Sequence, residues 1–120
     1  MKVREEKNAP PSCPFCGAHL KRPEEMKISP TDIVQGGTCG CGALYLADPT
    51  GKDVGSMMAQ ALNWAADTLG KGVGDLVPDE DYQDAILSYD WRNHRSTGVS
   101  KGYMDRNGRL YIMKVGKRTA

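Results

Sequence analysis

Four cysteines are the residues of this 120-residue chain best placed to do chemistry together: Cys13 and Cys16, then Cys39 and Cys41. Their spacing is C-x2-C-x22-C-x-C, and each pair is set among glycines, in Cys13-Pro14-Phe15-Cys16-Gly17 and in Cys39-Gly40-Cys41-Gly42. Zinc takes four thiolate or imidazole ligands at tetrahedral corners, with Zn–S near ~2.3 Å. A C-x2-C turn aims two sulfurs at one point. Cys39 and Cys41 lie two apart, so in an extended segment both side chains project from one face. Gly40 between them removes the side chain that would obstruct a tight bend. The spacing therefore predicts one structural site on Cys13, Cys16, Cys39 and Cys41. Zinc is the expected ion, although iron would use the same ligands. Four thiolates close the site and leave no open position for water, so no enzymatic role is expected.

The first pair, Cys13-Pro14-Phe15-Cys16-Gly17, resembles the C-P-x-C-G knuckle of the zinc-ribbon family over residues 13–47. The second, Cys39-Gly40-Cys41-Gly42-Ala43, is one residue shorter than the usual ribbon knuckle. The resemblance implies short antiparallel strands around a structural zinc, and contacts to nucleic acid or to protein. Cys13-Pro14-Phe15-Cys16 also looks like the redox dithiol of glutaredoxins, but such a motif should follow a buried strand and open a helix. Here it follows a polar, proline-rich lead, so a thiol redox protein is the weaker alternative. His19, three residues past Cys16, could replace a cysteine ligand, but a solvent-exposed strand histidine is the better reading.

The elements that must position these residues are read from pattern. Residues 1–12 read as a structureless lead, charged and then Ala9-Pro10-Pro11-Ser12. Residues 13–49 form the expected ribbon, with strands at Ile33-Val34 and Ala43-Leu44-Tyr45-Leu46, and Asp48-Pro49-Thr50-Gly51 has type I turn composition. Residues 50–120 are expected to form a small α+β unit. A helix over 53–69 follows from the stripe Val54, Met57, Met58, Ala61, Leu62, Ala65 and Leu69, with Asp53 as its cap and Gly70 as its end. A second helix over 79–93 follows from Tyr82, Ala85, Ile86 and Tyr89, with Asp79, Glu80 and Asp81 at its positive end and Arg92, His94 and Arg95 at its negative end. That placement accounts for the acidic cluster without acid–base catalysis. A hairpin over 99–115 follows from strand-like runs on either side of Asn107-Gly108. In its second strand Leu110 and Ile112 face one side while Tyr111, Met113 and Val115 face the other, so both sides should be covered. The fold class expected is thus α+β: an N-terminal zinc ribbon, two helices and a C-terminal hairpin.

Apolar residues make up 39% of the chain, a thin core that gains from a metal staple. The start, Met1-Lys2-Val3-Arg4-Glu5-Glu6, carries no apolar run of the signal-peptide type, and no stretch approaches the ~18 apolar residues of a membrane span. A cytoplasmic protein with reduced thiols and no membrane partner is expected. The net charge of +1 hides a net of −6 over residues 50–90 and +7 over residues 91–120. Those two segments either lie side by side and neutralise each other or leave a basic surface. Trp91, Arg92, Arg95, Lys101 and Arg109 interleave cations with aromatics, as a nucleic-acid surface does, although no recognised RNA- or DNA-binding signature accompanies them. The role expected first is a zinc-held adaptor for a protein partner, with the methionine-bearing helix as core or as contact face; a nucleic-acid binder using residues 91–118 is the alternative.

Overall fold

The structure is a computed structural model that describes residues 9–30, 32–48, 54–96 and 108–116. Five antiparallel strands form one sheet: β1 (Glu24–Lys27), β2 (Ile33–Thr38), β3 (Leu44–Asp48), β4 (Tyr82–Tyr89) and β5 (Gly108–Val115), in the order β1-β2-β3-β5-β4. The single α-helix among the described residues, α1 (Val54–Leu69), joins β3 to a short 3-10 turn (Val73–Asp75) ahead of β4.

The centre of the sheet is set by β5, whose apolar residues occupy both alternations. Leu110 and Ile112 enter one core cluster, with Tyr45, Leu87 and Tyr89; Tyr111 and Met113 enter the other, with Leu44, Leu46, Met57, Ala61 and Ala65. A strand covered on both faces belongs in the middle of a sheet, and β5 pairs there with β3 (Leu44↔Met113 through Asp48↔Arg109) and with β4 (Tyr82↔Val115 through Tyr89↔Gly108). Coverage thins toward β1: in β2 only Val34 and Gly36 are buried, and Ile33 is 58% exposed. Helix α1 lies on the Leu44–Tyr111 face. Its stripe is as expected through Met57, Ala61 and Ala65, and Met58 and Leu62 pack beside them, which makes the methionines core. Gly70, at φ 70°, ends the helix with Lys71 N–H donating to Ala66 O (3.0 Å) and Gly70 N–H to Asp67 O (3.3 Å), a Schellman closure. Asp53 and the turn residues 49–51 lie outside the described residues.

Three expectations are corrected. The helix over 79–93 is strand β4 followed by a turn. Tyr82, Ala85, Ile86 and Tyr89 fit a helical stripe, but over eight residues covered on both faces a strand places apolar groups at the same positions. Alternation sends Ile86 and Tyr82 to the helix-side cluster and Leu87 and Tyr89 to the other, and pairing with β5 satisfies the backbone. Asp79–Asp81 are accordingly turn residues: Asp79 has φ 69°, and Asp81 accepts from Val77 N–H (2.8 Å) and pairs with Lys71 (2.9 Å). The C-terminal hairpin is corrected as well. Both edges of β5 are taken by β3 and β4, so its hairpin partner is β4; residues 99–104 lie outside the described residues. β4 brings one acid, Asp84, opposite Met113 of β5, so this pairing does not set the two charged segments against each other. Finally, part of the expected lead is a built layer. Pro11 is fully buried, Ser96 N–H donates to Ala9 O (2.8 Å), and Leu20 N–H donates to Pro11 O (2.9 Å).

The fold class is thus an antiparallel sheet with α1 on one face and residues 9–23 on the other, rather than a ribbon followed by two helices and a hairpin. No helix among the described residues is long and apolar enough to cross a membrane.

Candidate metal centre

Each cysteine pair sits on a tight turn closed by its own backbone. In the first, Gly17 N–H donates to Cys13 O (2.8 Å) and Cys13 N–H donates to Ala18 O (2.8 Å), with Ser12 and His19 bridging beyond. In the second, Gly42 N–H donates to Cys39 O (2.8 Å) and Cys39 N–H donates to Ala43 O (2.8 Å), directly between β2 and β3. Both closing bonds of the second turn span one residue fewer, which is how C-x-C does the work of C-x2-C. The glycine after each pair turns the chain: Gly17 has φ 83° and Gly42 φ 99°, a region that disfavours any side chain. Gly40 has no such φ, and a Cβ there would meet nothing within 4 Å. The expectation that Gly40 makes the bend possible is therefore corrected; Gly42 does.

The two turns bring all four Sγ atoms within 4.8 Å of one another. Cys13 Sγ lies 3.7 Å from Cys41 Sγ, and Cys16 Sγ lies 3.4 Å from Cys39 Sγ. All four thiols are free, and these separations far exceed the ~2.0 Å of a disulfide. A tetrahedron with metal–sulfur bonds near ~2.3 Å has sulfur–sulfur edges of about 3.8 Å, so the two short separations lie within about 0.4 Å of it and separations as long as 4.8 Å must close by about 1 Å around an ion. The four cysteines can hold a metal ion. Among the described residues no other group of three or more His, Cys, Asp or Glu is so gathered, and His19 stands exposed outside it.

Backbone amides point at the sulfurs: Phe15 and Cys16 N–H at Cys13, Ala18 N–H at Cys16, and Cys41 N–H at Cys39. Such donors stabilise thiolates and orient them toward an ion. Burial nevertheless pushes the Cys13 thiol up to about 12, while the Ala18 N–H and then the Cys39 thiol draw exposed Cys16 down to about 7. At Cys39 the Cys41 N–H pulls the thiol down, but burial and hydrogen bonds with Cys16 and Cys41 outweigh it and leave the thiol raised. A cation at the centre would favour the thiolate form of its ligands, and its binding would release protons.

The site also belongs to the core. Cys13 is 2% exposed and clusters with Leu20, Ala43, Tyr45, Leu110 and Ile112, while Phe15, Cys39 and Cys41 pack against that cluster. The metal turns thus clamp the residue 9–23 layer onto the sheet face opposite α1.

Of the residues expected to face nucleic acid, Trp91, Arg92 and Arg95 are exposed together on the turn 90–95. Arg109 is not with them: it is 7% exposed within β5, in register with Asp48 and Ser88, so its charge is not offered to a ligand. Lys101 lies outside the described residues. Pattern reading missed Lys21 and Arg22, which join the turn from across the chain. Arg22 Nη1 donates to Trp91 O (2.5 Å) and His94 Nε2–H donates to Leu20 O (2.7 Å), with Tyr89 O–H donating to His94 Nδ1 (2.8 Å). His94 is thus a clamp at φ 54° rather than a helix-end residue. Only the basic pair Lys21-Arg22 signals this in sequence, and nothing local ties it to residue 91. No protein-family model matches the chain, and neither does any curated protein or solved structure.

Proposed function

We propose that this chain is a non-enzymatic binding module whose fold is held by one zinc ion on Cys13, Cys16, Cys39 and Cys41, in the manner of a zinc ribbon. The gathering of four free thiols within 4.8 Å on two glycine-closed turns supports this reading above all else. Four thiolates suit zinc in closed structural sites, and a closed site favours a staple over catalysis. The position of the site, pinning residues 9–23 to the sheet, is where a staple has most effect in a chain with a modest apolar content. Free thiols fit a reducing compartment such as the cytoplasm. A partner surface on the methionines of α1 is not favoured, because Met57 is 6% exposed and Met58 packs on the core.

Elemental analysis of protein purified under reducing conditions should return about one zinc per chain. Stripping it with a chelator should expose Cys13 to a thiol reagent and release the residue 9–23 layer, seen as lost amide protection at Leu20 and Tyr45. Protein that is folded and metal-free, or that carries the visible colour of iron–thiolate, would overturn the assignment.

A further inference from the structure

Beside the metal layer, the sheet face is not fully covered. A groove of about 260 Å³ opens there, lined by Arg22, Pro23, Gln35, Ala47, Tyr89 and Trp91. We propose that this groove takes one unstacked base of a single-stranded nucleic acid, stacked on Trp91, with the flanking phosphates on Lys21, Arg22, Arg92 and Arg95. The proposal rests on the reading of the chain as a binding module, though not on which metal it holds.

The groove has the two components that sequence-tolerant strand binding needs, an aromatic surface on Trp91 and a cation on Arg22, with Lys21, Arg92 and Arg95 exposed on the same two segments. Trp91 is 49% exposed, a large apolar surface left facing water. Its position is fixed nonetheless. Asp90 and Arg95 exchange backbone hydrogen bonds (2.8 and 3.2 Å), the Asp90 carboxylate accepts from Arg92 N–H (3.1 Å) and Asn93 Nδ2 (2.9 Å), and His94 pins the turn to Leu20. A turn held at so many points leaves chiefly the two side-chain torsions of the indole to order on binding. The groove floor is apolar, from Pro23, Ala47 and the Tyr89 ring, whereas Gln35 supplies an amide with both donors and an acceptor for a base edge.

Charge selects the kind of occupant. Lys21, Arg22, Arg92 and Arg95 are all exposed, and the Arg22 and His94 hydrogen bonds tie their two segments together. The acid on this turn, Asp90, already has both carboxylate oxygens in use within it. Glu24 and Glu25 line a neighbouring depression together with Lys21 and Arg22, which leaves Arg92 and Arg95 as the cations farther from these acids along the chain. A duplex fits poorly: α1 lies on the opposite face of the sheet, and a stacked pair cannot put a base into a recess.

The test is fluorescence anisotropy on the full-length, metal-replete chain at low salt, with labelled oligo-dT, oligo-U, an abasic strand of equal length, a duplex and a polyglutamate peptide. The expected order is both single strands ahead of the duplex and the abasic strand, with polyglutamate weakest. Trp91→Ala should weaken single-strand binding roughly 5- to 100-fold, the range for loss of one stacked base, and Trp91→Phe should restore most of it. Arg92→Ala and Arg95→Ala should weaken every oligonucleotide alike, each lowering the slope of log affinity on log salt by about 0.7. No single-strand binding at low salt, equal binding of the abasic strand, or indifference to Trp91→Ala would overturn the proposal. Preference for polyglutamate would overturn it in favour of an acidic peptide. Metal content is read on the same samples, so protein that binds strands but carries a metal other than zinc would refute the zinc assignment while leaving the groove intact.

Discussion

Alanine substitutions at two neighbouring glycines should have opposite effects. At Gly42 the backbone stands at φ 99°, past the left-handed well near +57°, and a β-carbon there is strained whatever the surrounding space. Left-handed backbone costs an L-residue about 1–2 kcal/mol. Replacing glycine also trims the freedom of the unfolded chain, worth about 0.4–1 kcal/mol in the other direction. Gly42→Ala should therefore lose about 1 kcal/mol. At Gly40 there is no left-handed strain and no atom within 4 Å of a new Cβ, so only the favourable contribution applies, and Gly40→Ala should gain about 0.4–1 kcal/mol. The favourable contribution is common to both, so the gap is the strain alone, about 1–2 kcal/mol, which corresponds to roughly 4–8 °C in Tm for a chain of this length. Thermal unfolding of the zinc-replete variants, followed by circular dichroism, measures it directly. Gly17→Ala, at φ 83°, should fall with Gly42→Ala. If Gly40→Ala lowered Tm as far as Gly42→Ala, the bend of the short knuckle would depend on the residue between the cysteines, and its closure by the residue after them would be the wrong explanation.

Two further substitutions probe the layers on either side of the sheet. Tyr111 is 1% exposed and donates to Asp84 (2.6 Å); burial and that hydrogen bond raise its phenol well above the usual value near ~10. A raised folded-state value means its contribution is complete below about pH 10 and is lost as pH climbs toward the folded value, so above pH 10 the wild-type chain should lose up to ~1.4 kcal/mol per pH unit more than Tyr111→Phe. Parallel denaturant titrations check this, and identical alkaline slopes would refute it. His94→Ala should cost about 2 kcal/mol by removing two hydrogen bonds while leaving the φ of 54° strained, and His94→Gly should recover about 1 kcal/mol of that; equal stabilities would show that the left-handed turn carries no strain.

What the sequence disclosed depends on the range over which each signal acts. The cysteine turns are local: residue type, spacing and the adjacent glycine are enough to anticipate a common site, and the structure brings the sulfurs together. Helix α1 is legible for the same reason, since Met57, Ala61 and Ala65 repeat at helical spacing over sixteen residues against one apolar face. The two-sided burial of β5 is legible because Leu110, Tyr111, Ile112 and Met113 leave no polar face. β4 failed because Tyr82, Ala85, Ile86 and Tyr89 satisfy a helix as well as a strand. The deciding fact, its ladder to β5, lies far along the chain. β1 is Glu24-Glu25-Met26-Lys27, four residues with one apolar group, and carries almost no signal of its own.

The least legible feature is also the one that connects the site to the rest of the molecule. Pro11 and Leu20 flank the first knuckle and are buried against a sheet whose strands are specified elsewhere, and Tyr45 O–H donates to Lys21 O (2.9 Å) from β3. Residues 9–23 have too few apolar groups to hold this position alone: Pro11, Cys13 and Leu20 are their buried side chains. A metal ion held there would fix Cys13 and Cys16 to Cys39 and Cys41, whose turn is anchored by the β2–β3 pair. An ion would thereby strengthen a weakly apolar segment as a second layer of the core and help to set the height at which Lys21, Arg22 and Pro23 meet Trp91. Ligation at the cysteines and the shape of the groove beside them are, on this geometry, coupled through the residue 9–23 layer.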